Sequence, residues 1–205
     1  MSSIDKILDR SGDPELAHRQ WEEFSRNFKK VPKGLEPLLY LFGNSRALIH
    51  YLLQYPEVAL DLMKSPYLRR PKEGKRTLQE LRLLFAKTKK GSAAAMRSLR
   101  HYKQREAVRI AARDLSGIAS FEEVGQEMSS LADGLIEFAY KSAMRIFVSR
   151  QLPAFAVIGL GKLGAEDLNV SSDVDLLYLH DSKQPELVAR IGKTMTHLLQ
   201  EKTGD

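Results

Sequence analysis

The stretch Ala154-Phe155-Ala156-Val157-Ile158-Gly159-Leu160-Gly161-Lys162-Leu163-Gly164-Ala165-Glu166-Asp167-Leu168-Asn169-Val170-Ser171-Ser172-Asp173-Val174-Asp175-Leu176-Leu177-Tyr178-Leu179-His180 decides how this chain is read. Its two apolar runs, residues 154–158 and 174–179, are short, partly β-branched or aromatic, and bounded by glycine and polar residues. That pattern predicts two buried strands rather than helices. Residues two apart in a strand share a face, so Asp173 and Asp175 are expected to project together, roughly 6–7 Å apart.

Two carboxylates on one face repel each other unless a cation lies between them. Magnesium takes oxygen ligands and binds through one or two carboxylates together with substrate phosphates. The glycine turn before the acids suits the phosphate half of such a site: glycine lets backbone approach a phosphate closely, and N–H groups opening a helix favour anions. Lys162 adds a mobile positive charge. An Asp-x-Asp pair alone is ordinarily a solvated strand end, and it gains weight here only from the neighbouring turn. Gly159, Gly161 and Gly164 also fit a dinucleotide-binding fingerprint. That fingerprint needs a full helix and an acidic residue about 20 positions on, whereas Asp173 follows Gly164 after nine residues.

Gly-Leu-Gly-Lys-Leu-Gly-Ala-Glu-Asp-Leu-Asn-Val-Ser-Ser-Asp-Val-Asp-Leu-Leu, residues 159–177, resembles the signature of glutamine synthetase adenylyltransferases, within the polymerase-beta-like nucleotidyltransferase superfamily. Gly161-Lys162 and Asp173-x-Asp175 match the superfamily spacing, with lysine in place of the usual small second residue. The resemblance implies that Asp173 and Asp175 are catalytic residues holding Mg²⁺, that Gly161 and Lys162 position phosphates, and that Ser172 donates a hydrogen bond. It implies ATP, ADP or AMP and phosphate as substrates, glutamine synthetase as target, and the PII signal protein and glutamine as regulators. The activity implied is removal (or attachment) of AMP on a tyrosine of glutamine synthetase. Residues 168–173 look more like the half of such enzymes that removes AMP by phosphorolysis, yielding ADP.

The fold implied is α+β, with a helical N-terminal domain over residues 1–150 and an incomplete nucleotidyltransferase sheet over 151–205. The superfamily's third carboxylate sits on a later strand, about where this sequence reaches Thr203-Gly204-Asp205. The chain is therefore read as an N-terminal piece of the enzyme, with little activity by itself. Two alternatives remain open: a nucleotidyltransferase acting on RNA or a small molecule, and a non-catalytic module that binds glutamine synthetase or the signal protein.

Composition agrees with this reading. The 205 residues allow one or two domains with a real core. The absence of cysteine excludes disulfides and thiolate metal sites. No apolar run reaches membrane-spanning length and residues 1–10 lack a signal-peptide core, so a soluble, cytoplasmic protein without membrane contact is expected. The formal charge of +6 suits phosphate or an acidic partner surface without identifying either.

Upstream, residues 1–12 read as a loose start. Asp13-Pro14-Glu15 opens a helix to about Lys29 that carries Trp21, Phe24 and Phe28 as core residues. Further helices are expected over residues 35–54, broken near 42–45, and 56–64. Residues 65–76 read as a basic connector, and Thr77-Leu78-Gln79-Glu80 as a capping box opening the next helix. A helix over 93–115 has an apolar stripe and a second face bearing Arg97, Arg100, Lys103, Arg105, Arg109 and Arg113. That face is expected to be solvated; it lacks exposed aromatics for base stacking, so no nucleic-acid partner is expected. Ser120-Phe121-Glu122-Glu123 caps a long helix ending before Pro153. A last helix spans 185–201. Of the five histidines, only His180, at the end of the second run, is expected near the chemistry.

Overall fold

The computed structural model describes residues 2–88, 93–147, 155–181 and 183–200. Ten helices and two strands follow in the order α1 (Ser3–Leu8), α2 (Pro14–Ser25), α3 (Glu36–Leu39), α4 (Arg46–Gln54), α5 (Glu57–Lys64), α6 (Gly74–Lys87), α7 (Ala93–Leu115), α8 (Phe121–Phe147), β1 (Phe155–Gly159), α9 (Gly161–Gly164), β2 (Leu176–His180) and α10 (Pro185–Gln200) among the described residues. The fold is α+β, as expected: helices dominate and the strands form one small antiparallel sheet. Two compact units divide the chain, one of residues 1–72 and 104–124, the other of 73–103 and 125–205. The expected boundary near residue 150 lies outside the described residues.

The first unit is all helical. Asp13 caps α2 by accepting from the Leu16 N–H, with Pro14 at the first position, as expected. The loose start is instead a helix: Ser2 and Asp5 form a reciprocal capping box that opens α1. Trp21 and Phe24 pack against Phe42, with ring centroids 5.7 and 5.5 Å apart. The expected break falls at Gly43, whose φ of 72° suits glycine.

The basic connector is more ordered than its composition suggests. A single 3-10 turn, Pro66–Leu68, leads to Lys72, which is buried. Lys72 Nζ lies 3.2 Å from Glu106, itself buried in α7. Glu106 also accepts from Arg105 at 2.6 Å and Arg109 at 2.8 Å, and Arg109 donates to the Tyr67 carbonyl. Arg113 is buried and pairs with Glu123 at 2.8 Å. The expectation of a solvated basic face is thus wrong for Arg109 and Arg113. Charge spacing on a helix shows which face carries the cations, not which face the rest of the chain covers.

In the second unit α6 begins at Gly74, three residues before the expected capping box. Thr77 is buried inside the helix instead of capping it. Arg145 of α8 donates to the Phe85 carbonyl at 3.3 Å, near the end of α6, and its guanidinium stacks on the Phe85 ring. The start of α8 belongs to the first unit, where Ser120 caps it through the Glu123 N–H, as expected. Ala139, Ala143 and Met144 of α8 meet Ile191 and Met195 of α10, and Phe155, Val157 and Tyr178 of the sheet pack onto that cluster. Tyr140, Phe155 and Tyr178 stack in a row, each 5.7 Å from the next.

Only one face of the sheet is covered in this way. Ala156 and Ile158 on β1, paired with Leu179 and Leu177 on β2, lie on the exposed face. The strands were expected to be buried, and they are buried on one side only. Antiparallel pairs tolerate this arrangement, because each strand presents alternate residues to opposite sides. No described helix is long and apolar enough to cross a membrane.

Candidate functional site

The glycine turn and the acid pair meet at one end of the hairpin. Strands β1 and β2 pair from Phe155 opposite His180 to Gly159 opposite Leu176. The Leu160 N–H donates to the Asp175 carbonyl at 3.0 Å, which adds one rung beyond the assigned strands. By alternation Asp175 continues the row of Leu177 and Leu179, on the sheet face away from α8 and α10. Asp173 and Asp175 therefore stand in the extended lead-in to β2, not inside the strand as expected, and both are exposed.

The three glycines serve different ends. A Cβ on Gly159 would lie 2.6 Å from the buried Leu163 side chain, and one on Gly164 would lie 2.9 Å from the Gly159 carbonyl. These two let the turn close on itself. Gly161 has φ of 56°, and a Cβ there would meet nothing within 4 Å. It is the glycine of the three whose surroundings are open to a ligand, and Lys162 beside it is exposed. A helix start was expected after the glycines; the helix here, α9, is a single turn made of Gly161–Gly164 themselves. The antiparallel pairing of β1 and β2 also removes the dinucleotide reading, which requires parallel strands joined by a full helix.

Beyond the turn the chain runs against α8. A Cβ on Gly125 would come within 3.0 Å of the Glu166 carbonyl, and Glu166 itself has φ of 55°. The Asp133 carboxyl on α8 is held above the usual carboxylate range by partial desolvation and by the Glu166 charge. Leu168 is buried and anchors the segment.

Ser172 does not stand free. Its Oγ–H donates to Asn169 Oδ1 at 2.9 Å, and its Oγ accepts from the Asn169 N–H at 3.0 Å. A bond from Ser172 to a phosphate requires the first of these to break. Sequence reasoning passed over Asn169, although asparagine followed closely by serines carries the signal of a side-chain-closed turn. His180 lies at the other end of β2, five residues or about 16 Å along the strand from Asp175, and lines a groove of 550 Å³ between β2 and α10. The expectation that it reaches the chemistry is not met.

Among the described residues no group of three or more histidine, cysteine or acidic side chains is placed to hold a metal. The hard oxygens of Asp173 and Asp175 fit a magnesium ion that takes its remaining ligands from phosphate and water.

A family model described as glutamate-ammonia ligase adenylyltransferase matches residues 35–205. The chain belongs to this family. Bifunctional glutamine synthetase adenylyltransferase/adenylyl-removing enzymes are similar to it: that of Chromobacterium violaceum is 30% identical over 179 residues, 85% of this chain and 20% of that enzyme. That of Nitrosococcus oceani is 31% identical over 196 residues, covering 83% and 20%. That of Burkholderia mallei is 32% identical over 154 residues, covering 74% and 16%. The chain spans about a fifth of the length of these adenylyltransferase-family relatives.

Proposed function

We propose that this chain is part of a Mg²⁺-dependent nucleotidyltransferase that removes AMP from, or attaches it to, glutamine synthetase, the removing reaction being the one favoured by residues 168–173. The observation that carries the reading is the Leu160–Asp175 backbone bond, which joins the glycine turn to the acid pair. Asp173 and Asp175 hold the metal, and Gly161 and Lys162 receive the phosphates. When bound, the ion neutralises charge on the phosphate oxygens. Lys162 then supplies a further positive charge on a flexible stem. The open backbone at Gly161 lets the nucleotide come close without a side chain in the way. Inorganic phosphate attacks the AMP phosphorus, the tyrosine oxygen leaves, and ADP forms.

A cytoplasmic location and PII as regulator belong to the same reading, supported by the family alone. An RNA substrate is disfavoured because two of the six cations on the basic helix, Arg109 and Arg113, are buried in ion pairs. Calorimetric titration with Mg-ADP tests the site. The expected result is a binding signal that the double variant Asp173→Asn, Asp175→Asn abolishes. An unchanged isotherm in that variant removes the assignment.

A further inference from the structure

Asn169 organises the turn that delivers the acid pair. Its Oδ1 accepts from the Ser171 N–H at 3.0 Å, the Ser171 hydroxyl at 3.1 Å and the Ser172 hydroxyl at 2.9 Å. Its own N–H donates to Ser172 Oγ, and the Ser172 N–H donates to the Asn169 carbonyl at 3.1 Å. A backbone N–H can only donate, so the Ser171 contact orients the amide with its oxygen inward. Asp173 is the next residue.

Among the described residues neither the Asp173 nor the Asp175 carboxylate has a hydrogen-bond or ion-pair partner of its own. Their direction is therefore set by the backbone on either side. Downstream it is held by the Leu160–Asp175 bond, and upstream by the Asn169 turn on the buried Leu168. We infer that Asn169 is a positioning residue for cation binding by Asp173 and Asp175: its side-chain oxygen fixes the path on which the chain enters the pair. This rests on the reading of that pair as a metal-phosphate site. Two carboxylates reach one ion together only when the backbone between and before them is held.

The test uses the whole 205-residue chain with Mn²⁺ and ADP as the probe, followed by water-proton relaxation. Asn169→Ala is expected to weaken Mn-ADP binding about 10-fold, the lower range for loss of a group that orients metal ligands. Asn169→Asp keeps the acceptor oxygen and is expected to retain most of the affinity, a rescue that a role in stability alone does not predict for the metal. Ser172→Ala, which removes two bonds of the turn, is expected to shift affinity in the same direction and guards against poor folding of Asn169→Ala. Wild-type affinity in folded Asn169→Ala or in Ser172→Ala, with binding lost in Asp173→Asn plus Asp175→Asn, overturns the inference and leaves the acid-pair reading standing. Binding that survives the double variant, or is absent in the wild type, overturns both.

Discussion

The Leu160 N–H donates to the Asp175 carbonyl at 3.0 Å, so the second residue of the glycine turn and the second acid of the pair form the last rung of one antiparallel ladder. A change that bends either strand end moves the other, and the two halves of the candidate site are coupled through main chain.

That coupling separates the glycines. Gly164→Ala places a methyl 2.9 Å from the Gly159 carbonyl, so the turn must shift. Gly161→Ala meets no atom and carries only the cost of a left-handed alanine, about 1 kcal/mol. Thermal melting is expected to show the larger loss for Gly164→Ala, and amide shifts at Asp175 in NMR spectra are expected to follow it. Equal losses would contradict the division of roles.

Glu106 is the carboxylate on which Lys72, Arg105 and Arg109 converge, and Lys72 and Arg109 are buried with it. Glu106→Gln keeps the shape and removes the charge. Breaking a buried ionic cluster from one side costs about 3–5 kcal/mol, so urea unfolding is expected to show a loss of that order. A change under about 1 kcal/mol would mean that the cluster is solvated in solution.

Glu137 accepts from Arg82 through both oxygens, at 3.1 and 3.3 Å, and from Lys141. The Arg82 hydrogen bonds, with Lys141 adding to them, hold its carboxyl below the ordinary glutamate range. The folded state then favours the charged form, so the pair stabilises above the unfolded glutamate value near 4.3 and loses its effect as pH falls through the lowered folded value. Glu137→Gln is expected to cost about 1 kcal/mol at pH 7 and low salt, and less at high salt because Arg82 is largely exposed. The difference from wild type is expected to shrink as pH falls below the ordinary glutamate range and to vanish once the carboxyl is protonated in the folded state as well. A pH-independent difference would place the effect in packing.

Leu177 and Leu179 are 44% and 47% exposed on the uncovered sheet face. Leu177→Thr plus Leu179→Thr introduces β-branched residues that suit a strand and is expected to change stability by no more than about 0.5 kcal/mol per site. It is also expected to reduce concentration-dependent association of this chain in sedimentation velocity, since it breaks up a contiguous apolar patch. A large loss of stability would show that the face is covered within the chain.

Much of the helical framework was legible in the order of residues. Asp13-Pro14, the break at Gly43 and the Ser120 cap all act locally, through bonds spanning three or four residues. The misreadings have a common cause. Thr77 fits a capping box, yet α6 begins earlier and buries it; Arg109 and Arg113 fit a solvated stripe, yet other parts of their unit cover them. In both cases a local pattern was overruled by what packs against it.

For the candidate site, the sequence by itself determined the chemistry on offer: two carboxylates two residues apart, a glycine-lysine turn whose last residue, Gly164, lies nine residues upstream of the first, and membership of a family that joins these pieces. Backbone conformation and donor type are properties of short segments, so spacing sufficed. Only the tertiary structure decided that β1 and β2 run antiparallel, that Asp175 is tied to Leu160, that Gly159 and Gly164 are spent on closing the turn, and that Asn169 holds the approach to the acids. Each of these depends on which distant backbone groups meet, and that follows from burying Phe155, Val157 and Tyr178 against α8 and α10, a requirement no single segment carries.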